Sequence, residues 1–214
     1  MIYQYWKAEV PKEDCEAIIE EFDISSAKEA TTGSILPPDG TYQYYPEHIE
    51  IIKKKGNWDY LHNKPKNEGL PNHTIRRTKL NWFPTNHKFN KILCDYVIKA
   101  NENQYHYNLT KFSPCQFARY NVGDFYNFHQ DAGHNPIDYE EETRKLSMTV
   151  QLSDPDSYEG GEFCFYNGGL EDDVMMQEQG SIIIFDSRMW HRVSPVTKGV
   201  RYSLVSWSLG PAFK

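Results

Sequence analysis

From residue 74 onward the side chains change character at every second position, and this alternation restricts the fold more than any other feature of the chain. TIRRTKLNW, SPCQFARY, FYNFHQD, KLSMTVQLS, GEFCFY, SIIIFD, MWHRVSPV and RYSLVSWSL each read as a short strand. Turn signals separate them: Asn121-Val122-Gly123-Asp124, Asp154-Pro155-Asp156, Gly160-Gly161, Asn167-Gly168-Gly169, Gly180 and Lys198-Gly199. Many short strands with regular turns predict an antiparallel sandwich or barrel. Within residues 146 to 152, Leu146, Met148, Val150 and Leu152 share one face, and Ser147, Thr149 and Gln151 share the other. The apolar face is expected to pack under helices, and the polar face to line the interior of the barrel.

Two helices precede the strands. Residues 11 to 22 open on Pro11 with acidic residues in the first turn, and residues 87 to 102 place Phe89, Ile92, Leu93, Tyr96 and Val97 on one side. Between them, residues 31 to 72 are rich in Pro, Gly, Asn and Lys yet carry Tyr42, Tyr44, Tyr45, Trp58 and Tyr60. Such a loop reads either as a lid or as packing against the core. The 214 residues suit one domain, with residues 1 to 110 as helical support and lid and residues 111 to 214 as the β core.

The net charge of -7 argues against duplex nucleic acid as a partner, because phosphate neutralisation needs a basic face. Lys53-Lys54-Lys55 reads as a solvated turn. Cys15, Cys94, Cys115 and Cys164 form no C-x-x-C pair and no disulfide framework, so free thiols are expected. The start MIYQYWKAEV lacks the pattern of a signal peptide, and no apolar run has the length of a membrane span. These features predict a soluble, cytoplasmic protein. The oligomeric state is not readable from them.

The chemistry concentrates in FYNFHQD. At period two, His129 and Asp131 project from one face of one strand. H-x-D alone is a weak signal. Two histidines with one carboxylate, however, leave open positions on a metal and form the facial triad of non-haem Fe(II) sites. A third ligand should come from a later strand, and His191 in MWHRVSPV is the candidate. His134 lies in the loop after Asp131, while His48, His62, His73, His87 and His106 read as surface or packing residues. Gly199 suits a three-residue hairpin between the strands of His191 and Arg201. That hairpin would set His191 opposite Val205, with Arg201 on the same side and roughly 13 Å along the strand at about 3.3 Å per residue. From there its planar fork could hold the far carboxylate of a small diacid.

The segments YNVGDFYNFHQD (120–131), RKLS (144–147), EGGEF (159–163), GSIIIF (180–185) and HRVSPVTKGVR (191–201) together resemble the Fe(II)- and 2-oxoglutarate-dependent dioxygenases, specifically the prolyl 4-hydroxylase-like group. The last segment is similar to bacterial and phage-type members. The resemblance covers residues 112 to 210, about half the chain.

It implies a mainly β, double-stranded β-helix (jelly roll) with the N-terminal helices packed on one sheet. It implies Fe(II) bound by His129, Asp131 and His191. It also implies 2-oxoglutarate held by Arg201, with Tyr120 and Ser147 assisting, and O₂ as co-reactant, with ascorbate as a candidate further cofactor. Ser147 stands where relatives often have threonine, and Gln151 where they often have tyrosine. The implied activity is hydroxylation of an unactivated C–H bond, with conversion of 2-oxoglutarate to succinate and CO₂. A prolyl residue is the substrate suggested by the group, and peptide, protein and small-molecule substrates all stay open. Trp190, Arg188, Asn127 and His134 are candidates for the substrate mouth. The alternatives are a non-enzymatic cupin-like metal- or ligand-binding module and an oxygenase acting on a nucleobase. A Ser-His-Asp hydrolase is disfavoured because G-x-S-x-G is absent.

Overall fold

The computed structural model describes residues 3–22, 28–29, 75–82, 87–132, 142–167, 170–173 and 177–213. The aromatic-bearing stretch 31–72 and His134 lie outside the described residues.

The strands form two main sheets. The first is eight-stranded and contains β1 (Tyr3–Trp6), β2 (Lys28–Glu29), β4 (Lys79–Trp82), β5 (Lys111–Phe112), β6 (Gln116–Tyr120), β8 (Glu142–Gln151), β12 (Ile182–Asp186) and β15 (Arg201–Pro211). Its order is β1-β12-β8-β15-β6-β4-β2, with β5 also paired to β15. The second has five strands in the order β11-β10-β13-β7-β3, where β3 is Arg76–Arg77, β7 Phe125–His129, β10 Phe163–Asn167, β11 Leu170–Asp173 and β13 His191–Val193. A two-stranded corner pairs β9 (Tyr158–Gly160) with β14 (Val196–Gly199). Every pairing is antiparallel. This is the mainly β double-stranded β-helix that the resemblance implied.

The helices cover the larger sheet. In α1 (Lys12–Phe22), Glu13 and Asp14 stand in the first turn, where the helix dipole favours acids, and Cys15, Ile18 and Phe22 are buried. In α2 (Lys88–Ala100), the ring of His87 accepts a hydrogen bond from Phe89 N (3.4 Å), and Phe89, Leu93, Val97 and Ala100 are buried. Ile92, expected on the same face, is instead exposed. These helix faces share one core with Leu146, Met148, Val150 and Leu152, the apolar side of β8. A second core of Ala118, Tyr120, Phe163, Phe165, Ile183, Phe185, Val193 and Val196 lies between the sheets. All four cysteines are free thiols. Among the described residues no helix is long and apolar enough to cross a membrane.

The N-terminal YQYW, for which the sequence predicted no element, is a strand, with Tyr3 to Trp6 paired against Phe185 to Ile182. Two sequence expectations change. TIRRTKLNW is two strands in two sheets: Arg76 pairs with Tyr126, whereas Lys79 pairs with Arg119. Thr78 bridges the switch, its hydroxyl donating to Arg119 O at 3.2 Å.

The expected hairpin between His191 and Arg201 is also replaced. His191 faces His129 in the smaller sheet, Arg201 faces Tyr120 in the larger one, and Val205 faces Gln116 and Thr149. The chain turns through β14 between them. Gly199, at φ +70°, is required there for close approach, because a Cβ would lie 2.2 Å from Ser157 O.

Candidate active site

His129 ends β7, and His191 opens β13 directly opposite. Each imidazole is tethered in the same way: His129 Nδ1 lies 2.8 Å from Asn127 O, and His191 Nδ1 lies 2.9 Å from Met189 O. A ring nitrogen can hold a backbone carbonyl only by donating, so both rings carry Nδ1–H and leave Nε2 with a free lone pair. Asp131 sits beyond the end of β7. Its backbone N–H and that of Ala132 both donate to Ser187 O, at 2.9 and 2.8 Å. The same-strand placement expected for His129 and Asp131 is therefore replaced by a bend fixed from the loop after β12.

His129 Nε2 lies 3.5 Å from Asp131 Oδ1, and His191 Nε2 lies 3.5 Å from Asp131 Oδ2. The three ligand atoms fall within 4.8 Å of one another, close enough to hold one metal ion. Burial by itself would raise the pKa of Asp131, but His191, His129 and Arg144 outweigh it and hold the carboxyl far below its ordinary range. Burial, followed by the neighbouring His129, pushes His191 down to about 4. An ionised carboxylate beside a neutral imidazole is the protonation state that a metal requires.

The triad opens into a cavity of about 540 Å³ between the sheets, which Arg201 also lines. Arg201 is 2% exposed and lies 5.6 Å from the centre of the Tyr120 ring. Among the described residues its one side-chain hydrogen bond is a long contact with Ser203 Oγ, at 3.4 Å. Among the described residues no carboxylate lies within 4.0 Å of it. A buried guanidinium with no counter-charge is costly unless a ligand supplies one. Gly161, at φ +67°, makes room for its stem, since a Cβ there would lie 2.9 Å from Arg201 Cδ.

Tyr120 lines the same cavity. Ser147 does not: it is fully buried, and its hydroxyl lies 2.9 Å from that of Ser187. Thr149, two residues along the same face, reaches the cavity instead. Gln151 is also buried away from it and donates to Tyr158 OH at 2.7 Å. Of the residues expected at the mouth, Arg188 is committed to Asp186 and Tyr107. Trp190 is exposed outside the cavity, and Asn127 supplies its carbonyl to His129.

Sequence reasoning missed Arg76, Gln116, Tyr126, Arg144 and Trp207, all of which line the cavity. The parity of Arg201, Ser203, Val205 and Trp207 along one strand face carried a usable signal for the last of these. Arg76 had none, because its short strand belongs to a different sheet from the residues that follow it.

A double-stranded β-helix whose interior presents two histidines and one carboxylate defines the facial-triad class of non-haem metal proteins. The comparisons make this more specific. A family profile described as the 2OG-Fe(II) oxygenase superfamily matches residues 115–209. The match spans less than half of the chain, which is similar to this superfamily over those residues. A PKHD-type hydroxylase of Alteromonas mediterranea is 38% identical over 98 residues, which is 45% of this chain and 42% of that protein. The chain thus matches less than half the length of such relatives.

In fold, it is similar to a prolyl-4-hydroxylase of Pseudomonas putida (TM-score 0.62, 20% identity, 97% of this chain and 92% of that one). It is also similar to the viral collagen prolyl hydroxylase of Paramecium Bursaria Chlorella virus-1 in its 2OG complex (TM-score 0.61, 18% identity, 98% and 97%).

Proposed function

We propose that this protein is an Fe(II)- and 2-oxoglutarate-dependent hydroxylase. The observation that carries the reading is the pairing, in one cavity, of the His129–Asp131–His191 cluster with the buried, carboxylate-free Arg201. The donor set fits the metal: two imidazole Nε2 atoms face one ionised carboxylate. Arg201 fits the cosubstrate, because its planar fork matches a carboxylate bidentately. The overall reaction inserts one oxygen atom of O₂ into a substrate C–H bond and converts 2-oxoglutarate to succinate and CO₂.

The bound iron would supply the oxidising chemistry, and the chain's own residues bind, orient and exclude water. Asp131 offsets part of the metal charge. Asn127 O and Met189 O fix the tautomer and tilt of the two imidazoles. Arg201 receives the distal carboxylate of the diacid, with Tyr120 against its guanidinium. Thr149 and Ser203, and not Ser147, are the aliphatic hydroxyls that line the cavity. Phe163 and Phe185 pack their rings against His191, and Val193 lines the same cavity. Ascorbate remains an assay condition in this reading, with no residue assigned to it. A prolyl residue in a peptide is the substrate that the names of the structural relatives suggest.

The competing reading is a cupin-like binding module, and Arg201 counts against it, since metal binding alone needs no carboxylate clamp. The test is an anaerobic titration with Fe(II) and 2-oxoglutarate followed in the visible spectrum. A charge-transfer band that needs both additions, is lost in His191→Ala and is weakened in Arg201→Ala is expected. Metal binding without the band would sink the hydroxylase reading and leave the binding module.

A further inference from the structure

The cavity is far more basic than the proposed chemistry requires. Among the described residues, Arg76, Arg144 and Arg201 line it against a single lining carboxylate, Asp131. With the histidines counted as neutral, three guanidiniums against one carboxylate leave two positive charges. A dipositive metal and a doubly negative 2-oxoglutarate would cancel each other, so the surplus persists in the loaded site.

The surplus is localised. In the register of the larger sheet, Arg201 stands opposite Tyr120, Gln116 stands opposite Val205, and Ser147 stands opposite Trp207. Arg76 Nη2 donates to Gln116 Oε1 at 3.0 Å, and Arg144 Cζ lies 3.9 Å from the centre of the Trp207 ring. The two arginines are therefore tied to β15 at four and six residues from Arg201, roughly 13 and 20 Å along the strand at about 3.3 Å per residue.

Both also flank the metal cluster. Arg76 Cζ lies 4.5 Å from the centre of the Tyr126 ring, and that ring stacks on His129 at 3.4 Å between centroids. Arg144 Nη1 donates to Asp131 O at 3.4 Å.

Arg144 has only the Asp131 carboxylate near it, already shared with the two histidines, and Arg76 makes no ion pair among the described residues. Arg76 is 7% exposed, and its Nε has no hydrogen-bond partner among the described residues. Among the described residues no carboxylate lies within 4.0 Å of Arg76 or Arg144. The rings of Tyr126 and Trp207 hold the guanidiniums in place, but a cation–π contact of roughly 0.5–2 kcal/mol does not replace the hydration of a buried charge. Two planar donors beside the reacting centre match an anion brought by the substrate.

We infer that the substrate presents a carboxylate to Arg76 and Arg144, beside the metal cluster and away from the Arg201 end of the cavity. This rests on the hydroxylase reading for what is bound at the other end. The carboxylate could belong to a free amino acid or to an Asp or Glu side chain next to the reacting residue in a peptide. The chemistry recognised is the same.

The test is calorimetric titration of the full chain, loaded anaerobically with Fe(II) and 2-oxoglutarate. The probes are free L-amino acids with their amides, and end-blocked proline dipeptides carrying Asp or Glu with their Asn or Gln counterparts. At least one carboxylate compound should bind roughly 10- to 100-fold more tightly than its amide. The panel in which it is found identifies the source. Arg76→Gln should abolish that preference while keeping the Fe(II)/2-oxoglutarate band, and Arg76→Lys, which retains the charge, should restore part of it.

The inference is overturned if no carboxylate compound outbinds its amide, or if the preference survives both Arg76→Gln and Arg144→Gln. If the band never forms in the parent chain, the hydroxylase reading fails instead. The same titration on the metal-free chain then still decides whether the arginine pair selects carboxylates.

Discussion

His129 and His191 face each other across neighbouring antiparallel strands with ring centroids 4.1 Å apart, and each is tied through Nδ1 to the carbonyl two residues earlier. This repeated tether turns both Nε2 atoms toward the same carboxylate. The site is thereby organised by backbone atoms of β7 and of the loop before β13, and needs no side-chain carboxylate to fix either histidine.

Removing one member should therefore cost metal affinity rather than fold. His191→Ala is expected to weaken Fe(II) binding by more than about 100-fold, above the roughly 10- to 100-fold cost of losing an outer-shell partner. Equilibrium dialysis against Fe(II) without oxygen measures it. Retained affinity would show that the metal sits elsewhere.

Arg201 should act on the cosubstrate alone. Arg201→Ala is expected to raise the Kd for 2-oxoglutarate roughly 10- to 100-fold, the loss of charge-assisted hydrogen bonds, with Fe(II) affinity unchanged. Arg201→Lys should recover only part of it, because an ammonium cannot present the bidentate fork. Equal losses in metal and cosubstrate binding would contradict the division of labour between the two sheets.

Gly161 and Gly180 form a matched pair. Both have positive φ, +67° and +81°, and a Cβ would lie 2.9 Å from Arg201 Cδ at the first but 1.9 Å from Val10 O at the second. Backbone strain of roughly 1–3 kcal/mol should lower the Tm of either alanine variant by about 2–10 °C. Only Gly161→Ala should also weaken 2-oxoglutarate binding, as measured by the spectral titration.

Asp186 sets an acid limit on stability. Burial alone would raise its pKa, but hydrogen bonds from Arg188 and Tyr107 lower it below the ordinary range. Because the folded value is depressed, the stabilisation is present above the unfolded-chain pKa of about 3.9 and is lost as pH falls toward the folded value. Arg188 is about half exposed, so the pair is worth about 1 kcal/mol at neutral pH. Asp186→Asn should lower Tm at pH 7 and flatten its decline below pH 4 in a thermal melt series. An unchanged acid slope would assign that decline to other carboxylates.

Much of this protein was written locally. Alternation in KLSMTVQLS and RYSLVSWSL marked strands whose apolar and polar faces are separated as expected, because a pleated strand leaves its two faces no other choice. The identity of His129, Asp131, His191 and Arg201 as the residues of interest was legible from residue type and order.

What the tertiary structure decided was which sheet each strand joins. His191 and Arg201 lie in different sheets, Asp131 hangs from Ser187 O beyond its strand, and Thr149 takes the cavity position expected for Ser147. Arg76 and Arg144 reach the same cavity from separate sheets, and nothing in their own segments announces it. Periodicity fixes which way a side chain points within its strand. The pairing of strands far apart in the chain, decided by burial of whole sheet faces, fixes what that side chain meets.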